Sequence, residues 1–271
     1  MTEKKPRHEI SLKKVVYQLP GADAVRIQRD VEYRTTDAGP LTMDIYYPPD
    51  AGSGAPIPAA VIVLGFSDVG YEAFVGCTFK EAEFCVDWAR LMAASGIAAI
   101  TYTNREPIAD VHALLAYVRR NAAALGIDEN RIGIHASSGN GPLALSVLMQ
   151  DGTDSLKCAV LFCPYTLDLD GSTGVAEATK QWRFVNPNAG KSLEDLPQHL
   201  PLFIARAGRD EMPHLNDALD RFVANALACN LPMTLANHRT GPHAFDVLDD
   251  SETSREVIRQ ILAFMRFHLQ A

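Results

Sequence analysis

The chain has 271 residues, of which 47% are hydrophobic, enough to bury the core of one α/β domain. Its formal net charge of -8 opposes binding to a phosphate backbone, so we expect no nucleic-acid partner. No apolar run approaches the roughly 20 residues that span a bilayer, and residues 1–9 lack the apolar core of a signal peptide. We therefore expect a cytoplasmic protein with no membrane partner.

Hydrophobic periodicity predicts an edge hairpin followed by strands that alternate with helices. The hairpin strands are 25–36 and 41–47, joined by the turn residues 37–40. The later strands are 59–64, 97–103, 131–136, 157–164, 201–207 and 233–239, and the helices are 80–95, 107–125, 215–229 and 252–269, with a further helix directly after 131–136. Such alternation requires right-handed crossovers, which build a mostly parallel sheet with helices on both faces. The predicted fold class is α/β, doubly wound, in a single domain that covers residues 1–271.

One strand-to-helix junction carries the strongest functional signal, because small residues surround two consecutive serines there. A nucleophile elbow needs small residues two positions before and two positions after the serine, where neighbouring backbone is crowded. Ser137 would have the imidazole of His135 at the first of these positions. Ser138 has Ala136 and Asn140, and asparagine tolerates left-handed backbone better than most residues. The spacing therefore favours Ser138 as the nucleophile.

A serine nucleophile needs a base, and the base needs an acceptor that fixes its tautomer. In open parallel sheets these groups belong in loops at the carboxyl ends of strands. Of the eight histidines, His243 follows the last strand within a turn-forming segment and is the best candidate for the base. His238 and His135 fall inside strands, where we expect packed, hydrogen-bonded histidines. His214 is the least certain of the others.

The strand that ends near residue 207 is followed by Asp210, at the turn where an orienting carboxylate belongs. Asp168 and Asp170, after the preceding strand, remain alternatives, although a lone aspartate is more often a helix cap or a solvated turn residue. Asp246 lies so close to His243 in sequence that its approach is awkward. Asp210 is therefore the preferred acid.

The negative charge that develops on a carbonyl oxygen during acyl transfer needs fixed donors. The backbone N–H of Gly139, directly after the nucleophile, is one predicted donor. The second is expected from the loop after strand 59–64, with Phe66 as first choice and Ser67 as second.

Cysteine usage predicts buried free thiols without disulfides or zinc. The count is odd, no CxxC spacing occurs, and most of the cysteines lie in apolar runs. A metal site made of Asp210, Glu211 and His214 has weak spacing, so we expect no metal ion. The cysteines are Cys77, Cys85, Cys158, Cys163 and Cys229.

The order Ser138, Asp210, His243, each after its own strand, resembles the α/β-hydrolase fold superfamily, closest to its carboxylesterase and dienelactone-hydrolase-like branch. The resemblance covers nearly the whole chain. It implies a serine esterase that forms an acyl-enzyme on small to medium esters, with no metal or organic cofactor. Ser138 would be the nucleophile, Asp210 the acid and His243 the base.

The chain departs from this superfamily at three points. Ala136 and Asn140 stand where its elbow usually has glycines. Leu64 replaces a histidine that many relatives carry, and the triple-glycine loop of the hormone-sensitive-lipase-like branch is absent. Ser138 also argues against the substrate of dienelactone hydrolases proper, which use a cysteine.

The long connection 165–200 is expected to insert a cap over the site. Its aromatic residues either line a substrate pocket together with those after strand 59–64, or pin the cap to the body. The residues concerned are Tyr71, Phe74, Tyr165, Trp182 and Phe184, together with Phe66.

The same residues are compatible with other functions. A lactone, thioester or amide could replace the ester, and a binding protein could hold a ligand in the capped pocket without catalysis. An edge strand or the last helix offers a surface for a homodimer.

Overall fold

The centre of the molecule is one mixed sheet in the computed structural model, which describes residues 6–52, 54–150 and 155–270. Within these residues the sheet has eight strands in the order β1-β2-β4-β3-β5-β6-β7-β8. The strands are β1 (Arg26–Thr36), β2 (Gly39–Tyr47), β3 (Ile57–Ile62), β4 (Ala98–Tyr102), β5 (Ile127–Ser137), β6 (Leu156–Phe162), β7 (Leu202–Arg209) and β8 (Met233–Pro242). The strand β2 pairs antiparallel with both neighbours, and the pairs from β4 to β8 are parallel. The predicted α/β class and edge hairpin are confirmed.

Helices cover both faces of this sheet. They are α1 (Asp68–Val75), α2 (Glu83–Ala94), α3 (Pro107–Arg120), α4 (Ala122–Leu125), α5 (Gly141–Met149), α6 (Gly174–Trp182), α7 (Leu215–Ala228), α8 (Phe245–Leu248) and α9 (Glu252–Gln270). In the described part of the chain, none of them is both long and apolar enough to cross a bilayer. Residues 1–5, on which part of the signal-peptide expectation rests, lie outside the described residues.

The burial of each strand explains its sequence pattern. All five residues of β4 and nearly all of β3 are buried, because helices cover both sides of a parallel sheet. In the edge strand β1 the residues are instead exposed or partly buried, apart from the buried Tyr33. Helix α9 is amphipathic, and its Met265 and Leu269 pack against Gly133 of β5, where any side chain would meet Leu269 at 3.1 Å.

The structure corrects several predicted boundaries. Residues 65–70 are expected to form a loop, since Gly70 weakens the helical signal, but α1 begins within them at Asp68. The predicted helix 107–125 is broken at Asn121 and ends at Gly126, which has left-handed φ of 66°. Helix α6 lies inside the segment 165–200, which was predicted to be irregular. Cys229 is exposed, whereas the other four cysteines are buried as predicted.

Candidate active site

The junction of β5 and α5 is a sharp turn centred on Ser138. Ser137 is still extended as the last residue of β5, and Ser138 has φ of +53°, which is uncommon for a residue with a side chain. The turn packs closely on its surroundings, since a Cβ at Gly141 would lie 2.2 Å from the carbonyl oxygen of Tyr165. These constraints select Ser138, not Ser137, as the residue at the apex of the turn.

Ser138, His243 and Asp210 form one hydrogen-bonded line across three strand ends. The Nε2 atom of His243 lies 2.9 Å from Oγ of Ser138, and its Nδ1 atom lies 2.6 Å from Oδ2 of Asp210. The Asp210 side chain is fully buried, and its Oδ1 accepts the N–H of Met212 at 2.9 Å. His243 is 24% exposed, so solvent and ligand can reach the imidazole.

The alternative acids have other partners. Asp168 accepts two backbone N–H groups at the start of α6, at 2.8 and 2.9 Å, and therefore caps that helix. Asp170 contacts the side chain of Asn225 on the surface. Asp246 accepts the indole N–H of Trp88 at 2.7 Å, and burial raises its pKa to about 6. Asp210 is thus the carboxylate that the fold places on the imidazole of the strand-end histidine.

The two strand histidines differ from each other. The Nε2 atom of His238 lies 2.9 Å from Asp249 and 3.1 Å from Ser254, as expected for a hydrogen-bonded core histidine. His135 is buried as predicted, but neither of its ring nitrogens has a partner among the described residues, which corrects the expectation of a hydrogen bond. Its ring centroid lies 4.8 Å from that of Trp88, and burial lowers its pKa to about 3.

Asn140 adopts a right-handed helical conformation, φ -83°, so the left-handed tolerance expected of it is not used. Its buried Oδ1 instead accepts the backbone N–H of Gly65 at 2.7 Å. The carbonyl of Gly65 accepts the N–H of Val185 at 2.8 Å. A Cβ at Gly65 would lie 2.7 Å from the carbonyl oxygen of Gly139, so glycine is required for this close approach. The sequence carried no signal for this contact.

The ends of the same loop are tied to the end of β4. The N–H of Leu64 donates to the hydroxyl of Tyr102 at 3.1 Å, and the side-chain amide of Asn104 donates to the carbonyl of Leu64 at 3.3 Å. The N–H of Asp68 donates to Oδ1 of Asn104 at 3.1 Å. Burial raises the pKa of Asp68 to about 6, against the opposing effect of two backbone N–H donors.

Between these anchors, the N–H groups of Phe66 and Ser67 have no acceptor among the described residues. The N–H of Gly139 is likewise without an acceptor in this part of the chain. Buried backbone N–H groups are nearly always paired, so unpaired ones beside a nucleophile are available to a ligand. Ser67 has a second role, since its Oγ accepts the N–H of Gly70 and caps α1.

A cavity of about 770 Å³ opens beside Ser138 and Gly139, and mostly apolar side chains line it. Its volume lies within the range of small-molecule sites. The predicted aromatic residues that line it are Phe66, Tyr71, Phe74, Tyr165, Trp182 and Phe184. Lining residues without any sequence signal are Ile10, Val69, Gly70, Ala73, Val75, Gln181, Arg183 and Met212.

The aromatic residues of this cavity divide into two groups. Tyr165 and Phe184 are almost fully buried, and their rings stack with centroids 5.1 Å apart. Phe184 also contacts Phe66 edge to face at 5.9 Å. Trp182 and Phe74 are 39% and 64% exposed at the rim. Buried rings thus hold the connection 165–200 together and against the loop that carries Phe66, while the exposed rings border the opening.

The side chains considered as metal ligands, those of Asp210, Glu211 and His214, do not point to a common site. The Asp210 carboxylate faces His243, whereas the Nε2 atom of His214 lies 3.4 Å from the carboxylate of Glu177. Among the described residues, no group of three or more His, Cys, Asp or Glu side chains is arranged to hold a metal ion.

The strand order, the turn at Ser138 and the three strand-end side chains define an α/β-hydrolase fold. No protein-family model and no curated protein sequence matches the chain. Solved structures do match, and one is MGS-M1, an α/β-hydrolase enzyme from a Medee basin deep-sea metagenome library. The two share 18% identity with a TM-score of 0.64, over 91% of this chain and 99% of that one. The resemblance to this fold is confirmed.

Two further solved structures are described as esterases. EstE1, a thermophilic carboxylesterase from a metagenomic library, is 19% identical with a TM-score of 0.65, over 96% of this chain and 91% of that one. Esterase 2 of Thermogutta terrifontis, phosphonylated by sarin, is 18% identical with a TM-score of 0.65, over 93% and 96% of the two chains. At these identities the similarity establishes the fold.

Proposed function

We propose that the protein is a serine carboxylic ester hydrolase that acts on small to medium esters. The observation that carries this proposal is the line of two hydrogen bonds from Ser138 through His243 to the buried carboxylate of Asp210. A serine hydroxyl is a weak nucleophile unless such a base takes its proton. The esterases among similar solved structures, one of them phosphonylated by sarin, add support.

In the proposed acylation, Oγ of Ser138 attacks the ester carbonyl carbon while Nε2 of His243 takes the hydroxyl proton. The carbonyl oxygen becomes an oxyanion. Asp210 holds the proton of Nδ1 and stabilises the imidazolium. The carbon–alkoxy bond then breaks, the imidazolium returns its proton to the leaving alcohol, and an acyl-enzyme remains. Water, deprotonated by His243, adds to this acyl group and releases the acid with Ser138 restored.

The oxyanion would accept hydrogen bonds from the backbone N–H of Gly139 and of Phe66, with Ser67 as the alternative second donor. These N–H groups have no other acceptor among the described residues. Fixed donors at this place supply transition-state stabilisation without reorganisation, and one such donor is typically worth about 10²–10³-fold in kcat.

The substrate would occupy the cavity of about 770 Å³ beside Ser138. Its mostly apolar lining fits an acyl chain of small to medium length, while Gln181 and Arg183 supply polar groups to the lining. We further propose that the connection 165–200 acts as a cap, since its Trp182 and Phe184 border the cavity.

Hydrolysis of p-nitrophenyl esters from acetate to decanoate tests the proposal, with Ser138→Ala beside the wild type. Ser137→Ala is the matched control, because it removes the neighbouring hydroxyl at the end of β5. We expect the Ser138 variant to lose at least 10³-fold in kcat/KM and the Ser137 variant to stay within a few-fold of wild type.

Labelling by a fluorophosphonate separates the remaining outcomes. Labelling at Ser138 without hydrolysis of these esters would indicate that the substrate is a thioester, lactone or amide instead. An unlabelled, inactive wild type would refute a serine hydrolase and favour a ligand-binding protein. Activity retained by Ser138→Ala would refute the assigned nucleophile.

A further inference from the structure

Asn140 lies two residues after Ser138, where the superfamily that the chain resembles usually has glycine. Its side chain is buried, and its Oδ1 accepts the N–H of Gly65 at 2.7 Å. A glycine at this position has no side-chain atom that could accept this hydrogen bond. An unpaired buried N–H is unfavourable, so the contact holds Gly65 at a defined distance from the turn.

We propose that Asn140 is a positioning residue that fixes the two oxyanion donors relative to each other. The inference rests on the proposed function. Asn140 directly follows Gly139, which carries one donor, and Gly65 directly precedes Phe66, which carries the other. A single side-chain hydrogen bond thus joins the two donor-bearing segments, one peptide unit away from each donor.

The other ties of the loop cannot replace this one. Tyr102 and Asn104 hold the ends of the loop to β4, and Val185 holds the Gly65 carbonyl to the connection 165–200. None of these hydrogen bonds joins the loop to the turn at Ser138, where the loop otherwise contributes the Phe66 ring packed against Gly139. Without the Asn140 side chain, the loop remains attached to its surroundings, but its spacing from the Gly139 donor is no longer fixed by a hydrogen bond.

Such a loss acts on the rate more than on substrate binding. The donors are aimed at the oxyanion, not at the neutral carbonyl, so their placement counts mainly in the transition state. A misplacement of about 1 Å can reduce a rate by about 10²-fold. Acylation and deacylation both pass through an oxyanion, so kcat falls whichever step limits it.

Asn188 provides a matched control. It is also a buried asparagine, 5% exposed, and its Nδ2 donates to the carbonyl of Pro142 in α5 at 2.6 Å. This hydrogen bond therefore joins Asn188 to α5, the helix that follows the nucleophile, and does not involve the loop 65–67. Alanine at this position tests what the loss of a comparable buried hydrogen bond does to stability and activity.

The experiment measures kcat and KM for p-nitrophenyl butyrate and the inhibition constant of an alkyl trifluoromethyl ketone, which forms a tetrahedral oxyanion adduct with serine. For Asn140→Ala we expect kcat to fall at least 10-fold, KM to stay within 3-fold, and ketone binding to weaken in parallel with kcat. For Asn188→Ala we expect all three to stay within 3-fold, at a similar loss of melting temperature. Asn140→Gly, with the residue common in the superfamily at this position, repeats the test if the alanine variant does not fold.

If the folded Asn140 variants match Asn188→Ala in kcat and in ketone binding, the positioning role is wrong. A fall in kcat without weaker ketone binding would also overturn it, because the effect would then not pass through the oxyanion. Failure of the proposed function itself looks different, since the wild type would then neither hydrolyse esters nor react with the fluorophosphonate.

Discussion

Asp246 is a buried aspartate, and its surroundings disfavour the ionised form of its side chain. It lies three residues after His243 and is 6% exposed, and the indole N–H of Trp88 donates to it at 2.7 Å. Burial raises its pKa from 3.8 to about 6, against the lowering effects of the Trp88 hydrogen bond and of the neighbouring His243. Asp246→Asn removes the charge and keeps an oxygen for the indole N–H.

The sign of the effect follows from linkage. Between pH 3.8 and about 6 the folded state retains a proton that the unfolded chain has lost, so stability falls as pH rises through this window. A shift of roughly two pKa units corresponds to about 3 kcal/mol. The asparagine variant has no such loss. Its stability relative to wild type is therefore expected to rise by about 3 kcal/mol across the window and to stay constant above it.

Urea unfolding at half-unit intervals from pH 4 to pH 8 measures this difference. Any hydrogen bond that the introduced amide fails to make changes the unfolding free energy by an amount that does not depend on pH. The part of the difference that varies with pH therefore reports the ionisation of Asp246. Asp249→Asn is the control, because hydrogen bonds from Ser251 first, and also from Ser254 and His238, lower the pKa of Asp249 below 3.8, so its difference from wild type should stay nearly constant from pH 4 to pH 8. A difference between Asp246→Asn and wild type that does not vary with pH would refute the reasoning.

Two further substitutions test the core and the cavity. His135→Leu removes a buried imidazole whose pKa is lowered from 6.5 to about 3, so wild type should lose stability relative to the variant as pH falls below 6.5. The loss should reach about 2 kcal/mol by pH 5 in urea unfolding, and equal curves for both proteins would contradict it. Trp182→Ala opens the rim of the cavity, so the kcat/KM ratio of decanoate to butyrate should rise several-fold, with a smaller loss of unfolding free energy than the roughly 3–5 kcal/mol of a fully buried tryptophan, because Trp182 is 39% exposed. An unchanged chain-length preference with lowered stability would assign Trp182 to structure alone.

Much of the architecture follows from local pattern. The apolar runs of β3 and β4 are continuous because both of their faces are covered, and this pattern is readable without a partner strand. Short helices were harder to predict from the sequence pattern. Helix α1 has only eight residues, and it forms because Ser67 caps its start and Gly76 ends it with φ of 80°. A propensity sum over eight residues that include a glycine does not outweigh a loop.

The side chains of the candidate site could be selected by their place at strand ends, because parallel strands deliver their carboxyl ends to one edge of a sheet. Ser138, Asp210 and His243 were chosen in this way. The hydrogen-bond partners of polar side chains could not be predicted from the sequence. Asn140 was expected to serve by its backbone tolerance, and His135 was expected to be hydrogen-bonded. Either outcome depends on which distant segment packs against the residue.

The sequence by itself thus determined the α/β class, the succession of most strands and helices along the chain, and the strand-end positions of a serine, an acid and a base. Periodicity and spacing are local, and each chain segment carries them independently of the others. Only the tertiary structure decided that Gly65 approaches Gly139 closely enough for the Asn140 side chain to bind it, and that an apolar cavity opens beside Ser138. Contacts between segments separated by 75 positions depend on how the whole sheet and its helices pack, which no local pattern encodes.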